Sequence, residues 1–240
     1  MKKQISLLIQ KQQFDPGFLG IFVNPFFFVR RELRKNIAEF APSLFGKILD
    51  AGCAGKPYEV LFSNATEYIG MEFDSSVNRA DSKADVFYDG HKFPFQDNTF
   101  DGVVATQVLE HVFNPDEFLD EMNRVVKHGA HVLLTLPFVW DEHSQPHDYA
   151  RYTSFGLRHL LEKHGFIIIK SKKTLNDVRV IFQLINCYLF KIISIKNYRL
   201  RLIFHCIFIS PFTIIGQLFS LVLPKNDDLY MDNIILARKK

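Results

Sequence analysis

From residue 47 to residue 166, short β-branched runs alternate with segments of helical period, and that alternation restricts the possible folds more than any other feature of the chain. Strand and crossover helix repeated in this way build a mostly parallel sheet covered by helices. The runs predict strands at 47–51, 68–72, 84–88, 101–106, 130–136 and 166–171, with a last one at 233–238. Between the fourth and fifth, Asn114 is placed to cap a helix that opens on Pro115, Asp116 and Glu117. Its apolar stripe is Phe118, Leu119, Met122, Val125 and Val126. Gly129 is expected to end that helix in a left-handed cap. A second helix runs from a Thr153 or Ser154 cap to Gly165.

Two flanks break the alternation. Residues 1–45, with Asn24-Pro25-Phe26-Phe27-Phe28 ahead of Arg30, Arg31, Arg34 and Lys35, read as an N-terminal helical cap. Residues 178–229 read as a hydrophobic helical insertion, leaving 46–177 and 230–240 as the α/β domain. At 240 residues and 48% hydrophobic content the chain can bury one sizeable core. Lys and Arg total 29 against 26 Asp and Glu, and a net charge of +3 gives no electrostatic reason to expect nucleic acid. Cys53, Cys187 and Cys206 have no disulfide or zinc spacing, which favours a reducing compartment. Gln10 to Gln13 and Asp15 interrupt any secretion signal, so the expected location is the cytoplasm.

The apolar run Ile48-Leu49-Asp50-Ala51 enters a small-residue turn, Gly52-Cys53-Ala54-Gly55, where open α/β sheets bind ligands. About twenty residues on, Glu72 ends the next run, where a carboxylate can accept both hydroxyls of a ribose. Asp89 ends the third, ahead of Gly90 and a Phe93-Pro94-Phe95 segment that offers a flat apolar wall to a purine. A dinucleotide-binding oxidoreductase shares this plan, but its pyrophosphate requires spaced glycines where this chain has Lys56 and Pro57.

Leu49-Asp50-Ala51-Gly52-Cys53, Tyr68-Ile69-Gly70-Met71-Glu72, the segment from Asp89 to Phe95, Asp97-Asn98-Thr99-Phe100-Asp101 and Val108-Leu109-Glu110-His111-Val112 resemble, in order, the motifs of class I S-adenosylmethionine-dependent methyltransferases of the type 11 kind. The resemblance implies a doubly wound, mostly parallel seven-stranded α/β sheet whose C-terminal strand is antiparallel. It implies S-adenosylmethionine as cofactor, with Asp50, Ala51, Gly52 and Cys53 at the methionine part. Glu72 and Phe73 would lie at the ribose, Asp89 and Gly90 at the adenine, and Gln107 on the far wall. Ala54 and Lys56 depart from the family's glycines, and the methyl of Ala54 is tolerable at negative φ. Lys56-Pro57-Tyr58 resembles a subfamily associated with polysaccharide and lipid-linked sugar genes.

Methyl transfer from a sulfonium is an in-line displacement, so collinear positioning supplies much of the rate, and a hydroxyl acceptor also needs a base. Residues 140–153 follow the fifth strand and are dense in candidates. The same subfamily resembles this chain in Pro137-Phe138-Val139-Trp140 and in His147-Asp148-Tyr149-Ala150-Arg151-Tyr152-Thr153, an acceptor-side loop. His143 and His147 are the first choices for base, with Asp148, Arg151 and Tyr152 orienting the acceptor. The bland alternative pairs Asp148 with Arg151 to cap the next helix. Gln107-Val108-Leu109-Glu110-His111 also resembles the Glu-x-x-Glu-His of metal-dependent O-methyltransferases. Glutamine in place of the first glutamate removes a charge that a hard cation wants, so no metal is expected as the leading reading. Glu110, His111 and His143 are the ligands if one binds.

The expected acceptor is a sugar or lipid-linked glycan, the alternatives being a quinone-like lipophilic molecule or a degenerate fold serving as a membrane adaptor. Residues 202–223 contain no Asp, Glu, Lys or Arg and are long enough to cross a bilayer. A single crossing would separate two strands of one sheet, so 178–223 are expected to lie as interfacial helices on the cytoplasmic face of a membrane. In the competing reading they cover the sheet or a dimer interface.

Overall fold

The computed structural model describes residues 11–240 apart from 194 and 196. The chain divides into two compact units, one formed by the N-terminal residues up to Lys35 with Lys173–Met231, the other by Asn36–Lys172 with Asp232–Lys240. The N-terminal and apolar segments, set apart in the sequence as two appendages, thus contribute to one unit. The boundary falls within helix α1 (Phe27–Phe40).

The larger unit is built on a seven-stranded sheet: β1 (Gly46–Ala51), β2 (Ala65–Phe73), β3 (Val86–Tyr88), β4 (Phe100–Thr106), β5 (Val126–Pro137), β6 (Phe166–Thr174) and β7 (Asp232–Lys239). Their order is β3-β2-β1-β4-β5-β7-β6. Strand β1 pairs in parallel with β2 and β4, and β7 runs antiparallel to β5. Strand order therefore reverses between β1 and β4, which opens a crevice at the carboxyl ends of the strands. Leu49, Val103, Val132 and Leu134 are fully buried, as expected of strands covered on both faces.

Helix α2 (Ser76–Asp81) precedes β3, α3 (Pro115–Val125) precedes β5, and α4 (Ser154–Lys163) precedes β6. On α3 the buried side chains are Phe118, Leu119, Met122 and Val125, a spacing of three or four residues that forms one core-facing stripe. Each contributes roughly 1.5–3 kcal/mol by leaving water. The Asn114 side chain accepts from the Glu117 amide and Thr153 from Gly156, so both predicted caps form. Gly129 does not cap α3. That helix ends at Val125, Val126 is already extended, and Gly129 at φ +76° lies inside β5, beside the register irregularity opposite Phe100 and Gly102.

The smaller unit carries α5 (Arg179–Ile192) and, in one uninterrupted helical run, α6 (Tyr198–Phe204), a π turn (His205–Ile209) and α7 (Ser210–Val222), of which Arg199–Val222 is long and apolar enough to cross a membrane. Pro211, in the first turn of α7, lacks an amide hydrogen, and the wider π turn just before it accommodates that loss. Gln183 on α5 accepts from the amides of Phe28 and Val29 at 3.1 and 3.3 Å, and donates to Pro25 O at 2.9 Å. It thereby partners amides at the start of α1 that have no acceptor within the helix.

Candidate active site

Strand β1 delivers Asp50 and Ala51 into the turn, and both are buried. Asp50 Oδ2 accepts from Tyr68 Oη at 2.8 Å. Burial pushes its carboxyl up to about 7, against the opposing pull of that hydrogen bond. The amides of Gly52 and Cys53 donate to Met71 O at 2.8 and 3.1 Å, and the Ala54 amide donates to Glu72 Oε2 at 2.9 Å. The turn is therefore pinned to β2, and its small side chains give a ligand closeness of approach rather than free donors. Gly52 sits at φ +84°, where a Cβ would lie 2.4 Å from Val108 Cγ2. Burial raises the Cys53 thiol to about 12, which keeps it protonated and inert at neutral pH.

Ala54 lies at φ +42° and Lys56 at +51°, so the condition of negative φ under which the Ala54 methyl is tolerated is not met. Two non-glycine residues in the left-handed region are strained, by roughly 1–2 kcal/mol each. The Lys56 side chain supplies a compensation that the sequence pattern does not reveal: its stem passes over Gly70, where a Cβ would stand 2.5 Å from Lys56 Cε, and its amine pairs with Asp85 at 2.5 Å. Asp85 also accepts from the Gly70 amide.

Glu72 ends β2 with Oε1 facing the Phe73 amide at 3.1 Å, and Asn78 Nδ2 of α2 at 3.4 Å. Asp89 is exposed beside Gly90, and its carboxyl is held below the usual range, chiefly by the His91 amide. The apolar wall differs from the expected one. Phe93 is fully buried and Phe95 packs edge-on against Phe100 at 4.8 Å, both serving the core. The aromatic ring beside Asp89 and Gly90 is Phe73, 44% exposed. Gln107, at φ +57°, ends β4 with Nε2 at 3.3 Å from both Thr135 Oγ1 and Asp232 Oδ1.

After β4 the chain makes a tight turn, Leu109–His111, onto which the loop following β5 folds. The amides of Tyr149 and Ala150 donate to Glu110 O, and His111 Nδ1 lies 2.5 Å from His147 O. This brings Glu110, His111 and His143 together, with one ligand atom of each within 4.8 Å of the others. The rings of His111 and His143 meet edge to face at 4.6 Å. Glu110 is 0% exposed, neither of its carboxylate oxygens has a hydrogen-bond partner among the described residues, His111 Nε2 stands 3.9 Å from one of them, and burial raises its carboxyl to about 8. An unpartnered buried carboxylate is costly unless it is protonated or meets a cation. One carboxylate and two imidazoles also fit a borderline divalent ion such as zinc, manganese or iron, leaving coordination positions for an acceptor.

The other loop candidates separate. Asp148 accepts two bonds from Arg151, at 2.6 and 2.7 Å, and one from the His143 amide at 2.9 Å. Arg151 holds the Asp148 carboxyl down at about 2. The pair fixes the loop, while Thr153 caps α4 by itself. The His147 ring is turned to Tyr149 Oη at 3.0 Å and is not part of the cluster. Tyr152 packs against the core, and burial raises its phenol. Of the five acceptor-side candidates, His143 alone presents a titratable ring to Glu110 and His111.

Residues 49–134 match a family model described as a methyltransferase domain. Among solved structures, an S-adenosylmethionine-dependent methyltransferase from Archaeoglobus fulgidus aligns over 93% of this chain and 100% of its own, at 18% identity and a TM-score of 0.57. Phosphoethanolamine N-methyltransferase 2 of Haemonchus contortus, in complex with S-adenosylmethionine, aligns over 92% of this chain and 56% of its own, at 20% identity and a TM-score of 0.55. The 4+2 cyclase SpnF aligns over 88% and 81%, at 19% identity and a TM-score of 0.59. At such identities the structural likenesses establish the fold. With a cyclase among them, the acceptor has to be argued from the site.

Proposed function

From the premise that the chain is a class I S-adenosylmethionine-dependent methyltransferase, we propose that it methylates a hydroxyl of a sugar or lipid-linked glycan. The observation that carries this reading is the convergence of Glu110, His111 and His143 beneath the loop after β5. A hydroxyl is a poor nucleophile until its proton leaves, and a positioned base is worth roughly 10²–10⁴ in rate. His143 Nδ1 faces two acceptors, Asp141 O at 3.2 Å and Asp148 Oδ2 at 3.3 Å, both nearer than the one donor beside it, Arg151 Nη2 at 3.5 Å. That arrangement favours the tautomer protonated at Nδ1, assigned from these neighbours, and leaves the Nε2 lone pair for the acceptor proton. The oxygen then takes the methyl carbon as the C–S bond breaks, and sulfur keeps that electron pair.

Asp148 and Arg151 hold His143 in place, while Glu72 would take the ribose and Asp89 the adenine. The exposed polar side chains of the loop, Glu142, Ser144, Gln145 and His147, suit an acceptor with many hydroxyls. The orphaned oxygens of Glu110 favour a second reading of the same residues. In it Glu110, His111 and His143 hold a divalent cation that would polarise the acceptor hydroxyl. Transfer of radiolabelled methyl to cell-envelope glycan fractions tests the acceptor. Label appearing only in protein, or in no fraction at all, counts against it, and metal analysis of the purified chain with and without Glu110→Gln separates the two readings of the base.

A further inference from the structure

The helices of the smaller unit are turned inside out relative to those of a water-soluble bundle. The side chains buried on α5 are Val180, Gln183, Asn186 and Cys187, and those buried along the π turn and α7 are His205, Ile209, Ser210, Thr213 and Gly216, so polar and small residues make up most of the buried seam. Asn186 Nδ2 donates to Thr213 Oγ1 at 2.9 Å across that seam. At Gly216 a Cβ would stand 2.8 Å from Phe182, so the helices approach closely over a small residue. The opposite face carries Ile203, Ile207, Leu218, Leu221 and Val222, which are 54–76% exposed. A water-facing helix buries its apolar stripe and exposes its polar one. Small and polar residues within the seam, with large aliphatic ones outside, is the arrangement of helices solvated by lipid.

Charge names the occupant. Between Asp177 and Asp227 there is no acidic residue, and six basic ones occur: Arg179, Lys191, Lys196, Arg199, Arg201 and Lys225. Arg179 pairs with Asp177 and Glu32. Lys191, Arg199 and Arg201 are exposed. We propose that this unit seats on an anionic phospholipid bilayer, with the apolar faces of α5 and α6–α7 entering one leaflet and the basic residues among the headgroups.

The helix over Arg199–Val222 is long enough to cross a bilayer, but topology excludes a single crossing and the length of α5 excludes a return pass. The segment leaves β6 and returns as β7, neighbouring strands of one sheet, so it must come back on the side it left. Helix α5 has 14 residues, roughly 21 Å at 1.5 Å per residue, short of a hydrocarbon core of about 30 Å. The basic residues cluster where α5 gives way to α6, so insertion tip first would bury charge. Helices lying along the surface satisfy all three conditions. The proposal is independent of which acceptor is methylated.

The test is flotation of the full chain with vesicles of phosphatidylcholine alone and of phosphatidylcholine mixed with phosphatidylglycerol. The chain should float with the anionic vesicles and much less with the neutral ones. Substituting the exposed Ile207→Glu and Leu218→Glu together should lower the bound fraction about tenfold, with the helical circular dichroism and the calorimetric affinity for S-adenosylmethionine unchanged. Equal binding to both vesicles overturns the anionic assignment. A chain that floats with neither, or whose apolar face is covered in a stable dimer that the same substitutions dissociate, overturns the proposal. Because cofactor affinity is measured on the same variants, failure here is distinguishable from failure of the methyl-transfer reading.

Discussion

The main-chain amide of Ala54 donates to Glu72 Oε2 at 2.9 Å, so the strained turn after β1 and the tip of β2 are joined by the carboxylate proposed for the ribose. Replacing Glu72 with Ala should weaken S-adenosylmethionine binding by roughly 1.5–3 kcal/mol and also lower the thermal midpoint, because the amide loses its acceptor. Glu72→Gln keeps an acceptor oxygen and should recover the midpoint more fully than the affinity. Calorimetry that finds wild-type affinity in Glu72→Ala would remove Glu72 from the cofactor site.

Asp50 should make the cofactor-free fold pH-sensitive. Its carboxyl stands at about 7 against an ordinary 3.8, so between those values the folded state binds more protons than the unfolded one. The stabilisation from this group is complete below the lower value and is lost as pH rises through the upper, at up to about 1.4 kcal/mol per pH unit. Asp50→Asn should flatten that slope in denaturant titrations. An ammonium placed beside Asp50 favours the ionised form, so cofactor binding near the upper value should release a proton. Heats of binding that do not vary with buffer ionisation enthalpy would separate Asp50 from the methionine end.

His143→Ala should lower turnover by roughly 10²–10⁴ while leaving cofactor affinity unchanged. His147→Ala should change turnover only a few-fold, because its ring is turned to Tyr149 and away from Glu110. Steady-state kinetics on an identified acceptor checks both. Equal losses from the two substitutions would mean that the loop acts as a unit, with neither ring as the base.

Two glycines of the same turn should respond differently to alanine. At Gly52 the new Cβ meets Val108 at 2.4 Å and φ is +84°, so Gly52→Ala should cost on the order of 1–3 kcal/mol. At Gly55 nothing lies within 4 Å of the place a Cβ would take, and Gly55→Ala should leave the thermal midpoint near wild type. Equal midpoints for the two variants would contradict the packing of Val108 over the turn.

The sheet was legible because strand runs and crossover helices differ in period, and the predicted strands coincide with β1 to β7 apart from their ends. Strand β5 starts at Val126, earlier than its apolar run, because Lys127, His128 and Gly129 occupy an irregular stretch with no alternation to read. In the candidate site, Glu72 and Asp89 were singled out by their places at strand ends. The pairing of Lys56 with Asp85 over Gly70 was not, since it joins positions that become neighbours only through the register of β1, β2 and β3. Phe73 and Phe93 carry the same side chain, and only packing decides which ring is buried. The inverted polarity of α5 and α7 was hidden for a related reason: a sequence rich in apolar residues everywhere shows no stripe until partners are assigned.

The placement of β7 between β5 and β6 bears on how the chain is made. During synthesis β5 and β6 emerge with the gap between them unfilled, and the apolar helices leave the ribosome before the strand that fills it. Until Asp232–Lys239 is available, the nascent sheet presents unpaired backbone along β5, the kind of edge that invites misassembly. Ribosome-bound chains stalled before β7 should therefore be more prone to proteolysis and aggregation than chains stalled after it, and with the membrane seating proposed above this late closure would let the helices reach a surface before the sheet is complete.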